Sequence, residues 1–169
     1  MWGTSCIEAS PTEDGKLCIN LSNGSAARCD VLVVAENSNS RLRAQLKPSA
    51  RLSFAGAALI SGTSQFCDGL HPPCDHMWGC HIGDKDGILL FVSPVDEKSA
   101  FWNLSYRAAT PREAFHPPYM PKDLEMIFDE ARARGKSFGQ KLYELIDATD
   151  TSTLRVFNAL DRKPFPHPE

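Results

Sequence analysis

The sequence lacks a surplus of basic charge, and it lacks any long apolar run. Its 169 residues carry 18 Lys and Arg against 21 Asp and Glu, a formal net charge of −3. No basic stripe or tail is present, so binding to nucleic acid or to anionic membranes is a poor hypothesis. No apolar run approaches the ~20 residues of a membrane span, and no signal peptide is recognisable, so a cytoplasmic location is predicted.

The sequence also lacks the motifs by which many proteins hold phosphates or activate a serine. Its 11 glycines form neither Gly-x-Gly-x-x-Gly nor a Walker loop, and no Gly-x-Ser-x-Gly elbow occurs. A self-contained phosphate cradle is therefore not predicted. What is present is enough apolar material for a core, since 42% of the residues are hydrophobic and 23% are charged.

Six cysteines occur, and three of them lie in a segment that is also rich in histidine. The segment holds Cys67, His71, Cys74, Asp75, His76, Cys80 and His81. Structural zinc favours pairs such as Cys-x2-Cys on a tight turn, and no such pair is found here. We therefore predict no metal in this segment. The other three, Cys6, Cys18 and Cys29, are interpreted as reduced strand residues that are buried or half-buried.

The first part of the chain is predicted to be β-rich. Residues 2–9 and 16–21 form two strands around an Asp14-Gly15 turn, which indicates a hairpin. The unbroken apolar run Val31–Ala35 is typical of a strand buried on both faces of a parallel sheet. No other segment supplies parallel neighbours, and the chain starts almost directly on a strand. Both features are expected of a segment taken from a longer protein.

The rest of the chain is predicted to be an antiparallel meander followed by two helices. The fold class is α+β, a mainly antiparallel sheet with two helices, plus a hairpin and one parallel-type strand. In the strand 100–107, Trp102, Leu104 and Tyr106 share one face, so one side of the sheet is covered. The remaining predicted elements are strands 52–62, 78–82, 88–92 and 153–160, a helix from Pro121 to before Gly135, and a helix that starts at Ser137 with a capping box to Gln140.

One segment carries a resemblance to a known family. Residues 29–43, Cys-Asp-Val-Leu-Val-Val-Ala-Glu-Asn-Ser-Asn-Ser-Arg-Leu-Arg, resemble the "cDlLVgADGxxSxvR" segment of FAD-dependent monooxygenases of the aromatic-ring hydroxylase type. Residues 54–63, 90–94, 102–107 and 156–161 resemble the substrate domain of such enzymes, including the tetracycline-inactivating branch. The resemblance covers nearly the whole chain in the correct order.

The resemblance implies that the chain corresponds to the middle of such an enzyme. Residues 1–47 would be a remnant of the FAD-binding domain, and residues 48–169 would be similar to the substrate-binding domain. Full-length members use FAD, NAD(P)H and O2 to oxygenate a small organic substrate. This chain has neither main FAD-binding motif, so a fragment or truncated member is expected to bind no cofactor alone and to be inactive alone. It is also expected to self-associate through the exposed strand.

The resemblance also implies three cofactor-binding residues, Glu36, Asn37 and Arg43. The family's Asp-Gly pair is Glu36-Asn37 here, so the acid is longer and the glycine has gained a side chain. Two alternatives stay open. The chain could be a stand-alone β-sheet module that binds a hydrophobic small molecule, or a cytosolic metal-binding protein that uses residues 67–81.

Overall fold

The computed structural model describes residues 2–72, 74–83, 87–113 and 117–162. The described strands are β1 (Cys6–Pro11), β2 (Leu17–Leu21), β3 (Ala26–Cys29), β4 (Ser53–Gln65), β5 (Gly79–Ile82), β6 (Leu89–Pro94), β7 (Ser99–Arg107) and β8 (Thr149–Asp161). The helices are α1 (Arg41–Leu46), α2 (Pro121–Arg134) and α3 (Gln140–Asp147), with a 3-10 helix at Lys136–Phe138. These elements divide into two units, one made of the described residues up to Ser53 with Asp161 and Arg162, the other of Phe54–Leu160.

The first unit contains an antiparallel sheet of three strands in the order β1-β2-β3. The predicted hairpin is confirmed, and its turn is closed by the Thr12 N–H, which donates to the Lys16 carbonyl at 2.8 Å. Gly15 adopts a φ of 77° in this turn, a conformation that a side chain disfavours. The first strand begins at Cys6 instead of Trp2, and β3 is a short strand that the sequence pattern did not reveal.

The predicted buried strand at Val31–Ala35 is corrected by the structure. These residues belong to neither sheet, and Val31 and Val33 are 76% and 82% exposed. A strand exists only through hydrogen bonds to a neighbour, and no described residue hydrogen-bonds to the main chain of this segment. The apolar run is therefore left in contact with water, as the absence of parallel neighbours in the sequence led us to expect.

The second unit is built on a five-stranded sheet in the order β5-β6-β7-β4-β8. The α+β class is confirmed, and β5, β6 and β7 form the predicted antiparallel meander. The strand β4 departs from a simple meander because it pairs with β7, with Ile60 opposite Leu104. The alternation predicted for β7 is confirmed, since Trp102, Leu104 and Tyr106 are buried and their neighbours along the strand are more exposed.

The helices α2 and α3 cover the buried face of this sheet. The helix predicted from Pro121 is confirmed as α2, and its Ile127 and Ala131 are buried in one cluster with the sheet. In α3 three buried side chains, Leu142, Leu145 and Ile146, join the same cluster. This cluster is the core of the unit. None of the described helices combines the length and the apolar character needed to cross a membrane.

The predicted capping box at Ser137 is wrong. Ser137 lies in the 3-10 helix, and α3 begins only at Gln140, after Gly139. Gly139 has a φ of 61°, which interrupts the helical backbone, so Ser137 and Gln140 do not share one helical turn. The glycine, and not a polar cap, determines where α3 starts.

Candidate functional site

The first candidate site is the segment that leads into α1, and it contains Glu36, Asn37 and Arg43. The Glu36 carboxylate accepts hydrogen bonds from the Ser40 hydroxyl (2.8 Å) and the Leu42 N–H (3.2 Å). These two bonds, the Ser40 bond foremost, hold the pKa of Glu36 below its ordinary value. Glu36 therefore acts as part of the N-terminal cap of α1.

Asn37 keeps the backbone conformation that glycine favours. Its φ is 71°, in the left-handed region, and its side-chain carbonyl accepts a hydrogen bond from the Ser38 N–H at 2.8 Å. Asparagine is one of the few residues that tolerate this region, because its short polar side chain bonds to the adjacent main chain. The loop therefore has a glycine-like backbone in spite of the Gly-to-Asn departure from the family motif.

Arg43 closes the same loop from inside α1. Its guanidinium donates to the Asn37 carbonyl at 2.8 Å and to the Ser38 carbonyl, and its own N–H donates to the Ser40 hydroxyl at 3.0 Å. The structure thus brings the three predicted site residues together around one turn.

Three N–H groups of this loop are not free to bind the pyrophosphate of FAD. Such a cradle requires several free N–H groups aimed at one point. The N–H groups of Ser38, Leu42 and Arg43 are already bonded to side chains of the loop. The hydrogen bonds of Glu36, Asn37 and Arg43 therefore give these residues a role in shaping the loop.

The second candidate site is the face of the five-stranded sheet opposite α2 and α3. We call it the open face. Cross-strand pairs place Phe91 opposite Asn103 and Phe101 opposite Thr63 on this side. Phe91, Phe101 and Asn103 are only half-buried, whereas Trp102 on the other face is fully buried. The open face is thus accessible to a ligand.

An aromatic cluster marks one end of the open face. The ring centroids of Trp78 and Phe91 are 6.1 Å apart, and those of Phe91 and Phe101 are 6.3 Å apart, both pairs tilted. Next to them the Ser105 hydroxyl donates to the Asn103 side chain at 2.8 Å. An apolar wall beside a few fixed polar groups is suited to a flat organic molecule.

Local sequence patterns did not reveal this cluster. The alternation of β7 did separate Phe101 from Trp102, which is the only signal the sequence offered. The contact with Phe91 depends on the pairing of β6 with β7 and on the path of the chain before β5. Neither is encoded in a local pattern.

The Cys and His segment does not assemble into a metal site in the part of the chain that the structure describes. No three described His, Cys, Asp or Glu side chains are grouped so that they could hold an ion. His76 pairs with its neighbour Asp75 at 2.5 Å. Cys80 and His81 lie opposite Phe91 and Leu90, so they point to different faces of the sheet. All six cysteines are free thiols in the structure.

The chain is similar in sequence to a monooxygenase, cfoF of Aspergillus candidus. The two are 29% identical over 177 residues, which cover 98% of this chain and 41% of that protein. No protein-family model matches the chain. This chain therefore spans about two-fifths of the length of the curated relative that it matches.

Solved structures show the same fold. A putative FAD-containing monooxygenase of Photorhabdus luminescens matches 100% of this chain with 48% of its own, at a TM-score of 0.70 and 23% identity. Klebsiella pneumoniae HpxO, complexed with FAD and uric acid, matches 96% of this chain with 39% of its own, at a TM-score of 0.68 and 20% identity. Tetracycline destructase Tet(55) matches 92% of this chain with 39% of its own, at a TM-score of 0.61 and 16% identity.

The fold and the sequence comparison define the class of protein to which the chain is similar, the FAD-dependent monooxygenases. The resemblance predicted from the sequence is confirmed, and it includes the fold of a tetracycline-inactivating member. The chain corresponds to a part of such a protein, because each of these relatives is about twice its length or more.

Proposed function

We propose that the chain is the substrate-covering part of an FAD-dependent monooxygenase that oxygenates a small organic compound with NAD(P)H and O2. The open face carries this proposal, because its aromatic cluster and its polar pair lie on the face of the sheet that the helices α2 and α3 do not cover. HpxO, a protein of the same fold, was solved with FAD and uric acid. Bound flavin supplies the oxidising chemistry, and the protein supplies binding and orientation.

In this proposal each part of the open face has its own task. Trp78, Phe91 and Phe101 give an apolar wall that removes water from one side of the substrate. Asn103 and Ser105 offer an amide and a hydroxyl that can hydrogen-bond a polar substituent and so fix its orientation. The apolar wall thus binds the substrate, and the polar pair orients it.

We also propose that Glu36, Asn37 and Arg43 position their loop next to the cofactor in the complete enzyme. Their hydrogen bonds stabilise the turn itself, so they would act on FAD through loop shape. Residues 1–47 would then adjoin the FAD-binding domain, and residues 48–169 would cover the substrate. On this assignment the chain alone binds neither FAD nor NAD(P)H tightly.

The experiment is a chimera in which this chain replaces the matching segment of the Aspergillus candidus relative. We expect the chimera to purify with flavin and to oxidise NAD(P)H faster when a substrate is added, whereas the chain alone purifies without flavin. Phe101→Ala in the chimera should raise KM about tenfold, because it removes part of the apolar wall. Flavin content should stay unchanged.

Met126→Ala on the exposed side of α2 is the control, and it should alter neither KM nor flavin content. A folded, flavin-loaded chimera whose KM is insensitive to Phe101→Ala would contradict the role of the open face. A yellow preparation of the chain alone would contradict the assignment of FAD binding to other segments. Ligand binding by the chain, without flavin-dependent turnover by the chimera, would favour the stand-alone binding module.

A further inference from the structure

A cavity lies on the helix-covered side of the five-stranded sheet. Its volume is about 740 Å³. Leu90 and Val92 of β6 form its floor, and both share a face with the buried Trp102 and Leu104. Its apolar walls are Phe66 and Leu70 from the connector after β4, and Phe138 and Leu145 from the 3-10 helix and α3.

The connector wall is held in place by main-chain hydrogen bonds. The Phe66 N–H donates to the Lys98 carbonyl at 2.8 Å, and the Leu70 N–H donates to the Glu97 carbonyl at 3.0 Å. Both acceptors lie in the turn between β6 and β7. The wall is therefore attached to the sheet that forms the floor, and the cavity does not depend on a ligand for its shape.

The opposite wall is α3, and it brings charged groups to the mouth. The buried Ser64 hydroxyl donates to the Leu145 carbonyl at 2.6 Å and fixes the end of α3 on the sheet. Lys141 and Glu144 are exposed at the mouth, and neither forms an ion pair with any described residue. The imidazole of His81 lines the cavity from β5.

We propose that this cavity binds a small aromatic compound that carries a phenolic hydroxyl. The rings would occupy the apolar interior, whose volume lies within the ~300–1,000 Å³ typical of small-molecule sites. A hydroxyl both donates and accepts, so it suits a mouth with a carboxylate at Glu144 and an ammonium at Lys141. A carboxylate ligand would meet the like charge of Glu144. This site is separate from the open face and goes beyond the proposed function.

The test is calorimetric titration of the 169-residue chain with 2-naphthol and with 2-methoxynaphthalene, which has no hydroxyl proton to donate. We expect one molecule of 2-naphthol per chain, bound about tenfold more tightly than the methyl ether. Glu144→Ala should remove most of this preference, and Lys141→Ala should weaken 2-naphthol binding. The matched controls Glu125→Ala and Lys136→Ala, both exposed outside the cavity, should change neither.

A blocking variant locates the ligand. Ser137 is exposed at the mouth, so Ser137→Trp is expected to fill the entrance without removing a core contact and to abolish binding. Equal affinity for the two ligands, or a preference that survives Glu144→Ala, would overturn the proposal. So would unchanged affinity in a Ser137→Trp variant that melts like the parent. If Ser137→Trp does not fold, the Glu144→Ala comparison decides. Loss of 2-naphthol binding in Phe101→Ala would place the ligand on the open face and overturn the proposal, whatever the chimera shows.

Discussion

A half-buried polar cluster links the connector after β7 to α2 through hydrogen bonds and ion pairs. The substitution Glu130→Gln tests how much this cluster contributes to the free energy of unfolding. The Glu130 carboxylate accepts hydrogen bonds from the Tyr106 hydroxyl (2.9 Å) and the Arg134 guanidinium (2.8 Å), and it pairs with Arg112 at 2.9 Å. Arg112 also donates to the Tyr106 hydroxyl at 2.9 Å. The Arg112 and Glu130 side chains are 16% and 25% exposed, so water screens this pair only in part.

Glutamine has nearly the shape of glutamate, so Glu130→Gln removes the charge with little change in packing. Hydrogen bonds to charged groups contribute about 1.5–3 kcal/mol, against about 0.5–1.5 kcal/mol for neutral ones. Glutamine keeps one acceptor oxygen, but its amide NH2 group replaces the other carboxylate oxygen, so one of the two guanidinium groups loses its acceptor and faces a donor. We expect the free energy of unfolding to fall by about 2 kcal/mol, which corresponds to a Tm lower by roughly 4–8 °C in a chain of this size.

The loss should depend on pH. Burial alone would raise the pKa of Glu130, but the bonds from Arg134 and Tyr106 and the charge of Arg112 outweigh burial and lower the pKa from its ordinary value of 4.5. A depressed pKa in the folded state stabilises the fold above the unfolded-state value, and this stability is lost as pH falls through the folded-state pKa. The difference in the free energy of unfolding between wild type and Glu130→Gln should therefore be largest near neutral pH and should decrease as the pH falls.

The measurement is urea unfolding followed by circular dichroism over a pH series. Glu125→Gln lies on the same helix, is exposed and has no described partner, so its free energy of unfolding should stay within about 0.5 kcal/mol of wild type. If Glu130→Gln unfolds together with wild type at neutral pH, the cluster does not stabilise the fold. If the gap stays constant into acid, the charge of Glu130 is not its source.

Three further variants test the backbone and the core. Asn37→Gly should unfold like wild type in urea, whereas Asn37→Ala should lose about 1 kcal/mol, because φ is positive there. Replacing Val31 and Val33 by Thr should leave the free energy of unfolding within about 0.5 kcal/mol and reduce self-association in sedimentation, since both are exposed; a large loss of stability would show that they are buried. Trp102→Phe removes the indole bond to the Thr149 hydroxyl (2.9 Å) in a fully buried site and should cost about 1–2 kcal/mol in a thermal melt, a result that an unchanged Tm would contradict.

The periodic elements were determined by the sequence itself. In β7 the period of two places Trp102 and Leu104 on one face, and in α2 the helical spacing places Ile127 and Ala131 on one face; all four are buried. Such patterns can be predicted because the backbone geometry of a strand or a helix fixes which side chains share a face, whatever the rest of the chain does. The turn at Asp14-Gly15 was predictable for the same local reason.

The candidate sites could not be predicted from local sequence patterns alone. Glu36, Asn37 and Arg43 were found through a family resemblance, and only the structure shows that Glu36 caps α1 and that Arg43 bonds to the carbonyls of its own loop. The open-face cluster joins Trp78 to Phe91 through strand pairing, and the cavity behind β6 is closed by a connector and a helix far apart in sequence.

Strand partners and burial were decided by the tertiary structure. The run at Val31–Ala35 has the composition of a buried strand, yet it is exposed because no described strand pairs with it. The strand β4 pairs with β7 instead of β5, its follower in the chain, although nothing in its own residues selects that neighbour. A strand's pattern records only which of its side chains share a face. Which strand it pairs with, and how deeply its side chains are buried, depend on distant segments that contact it only in the folded chain.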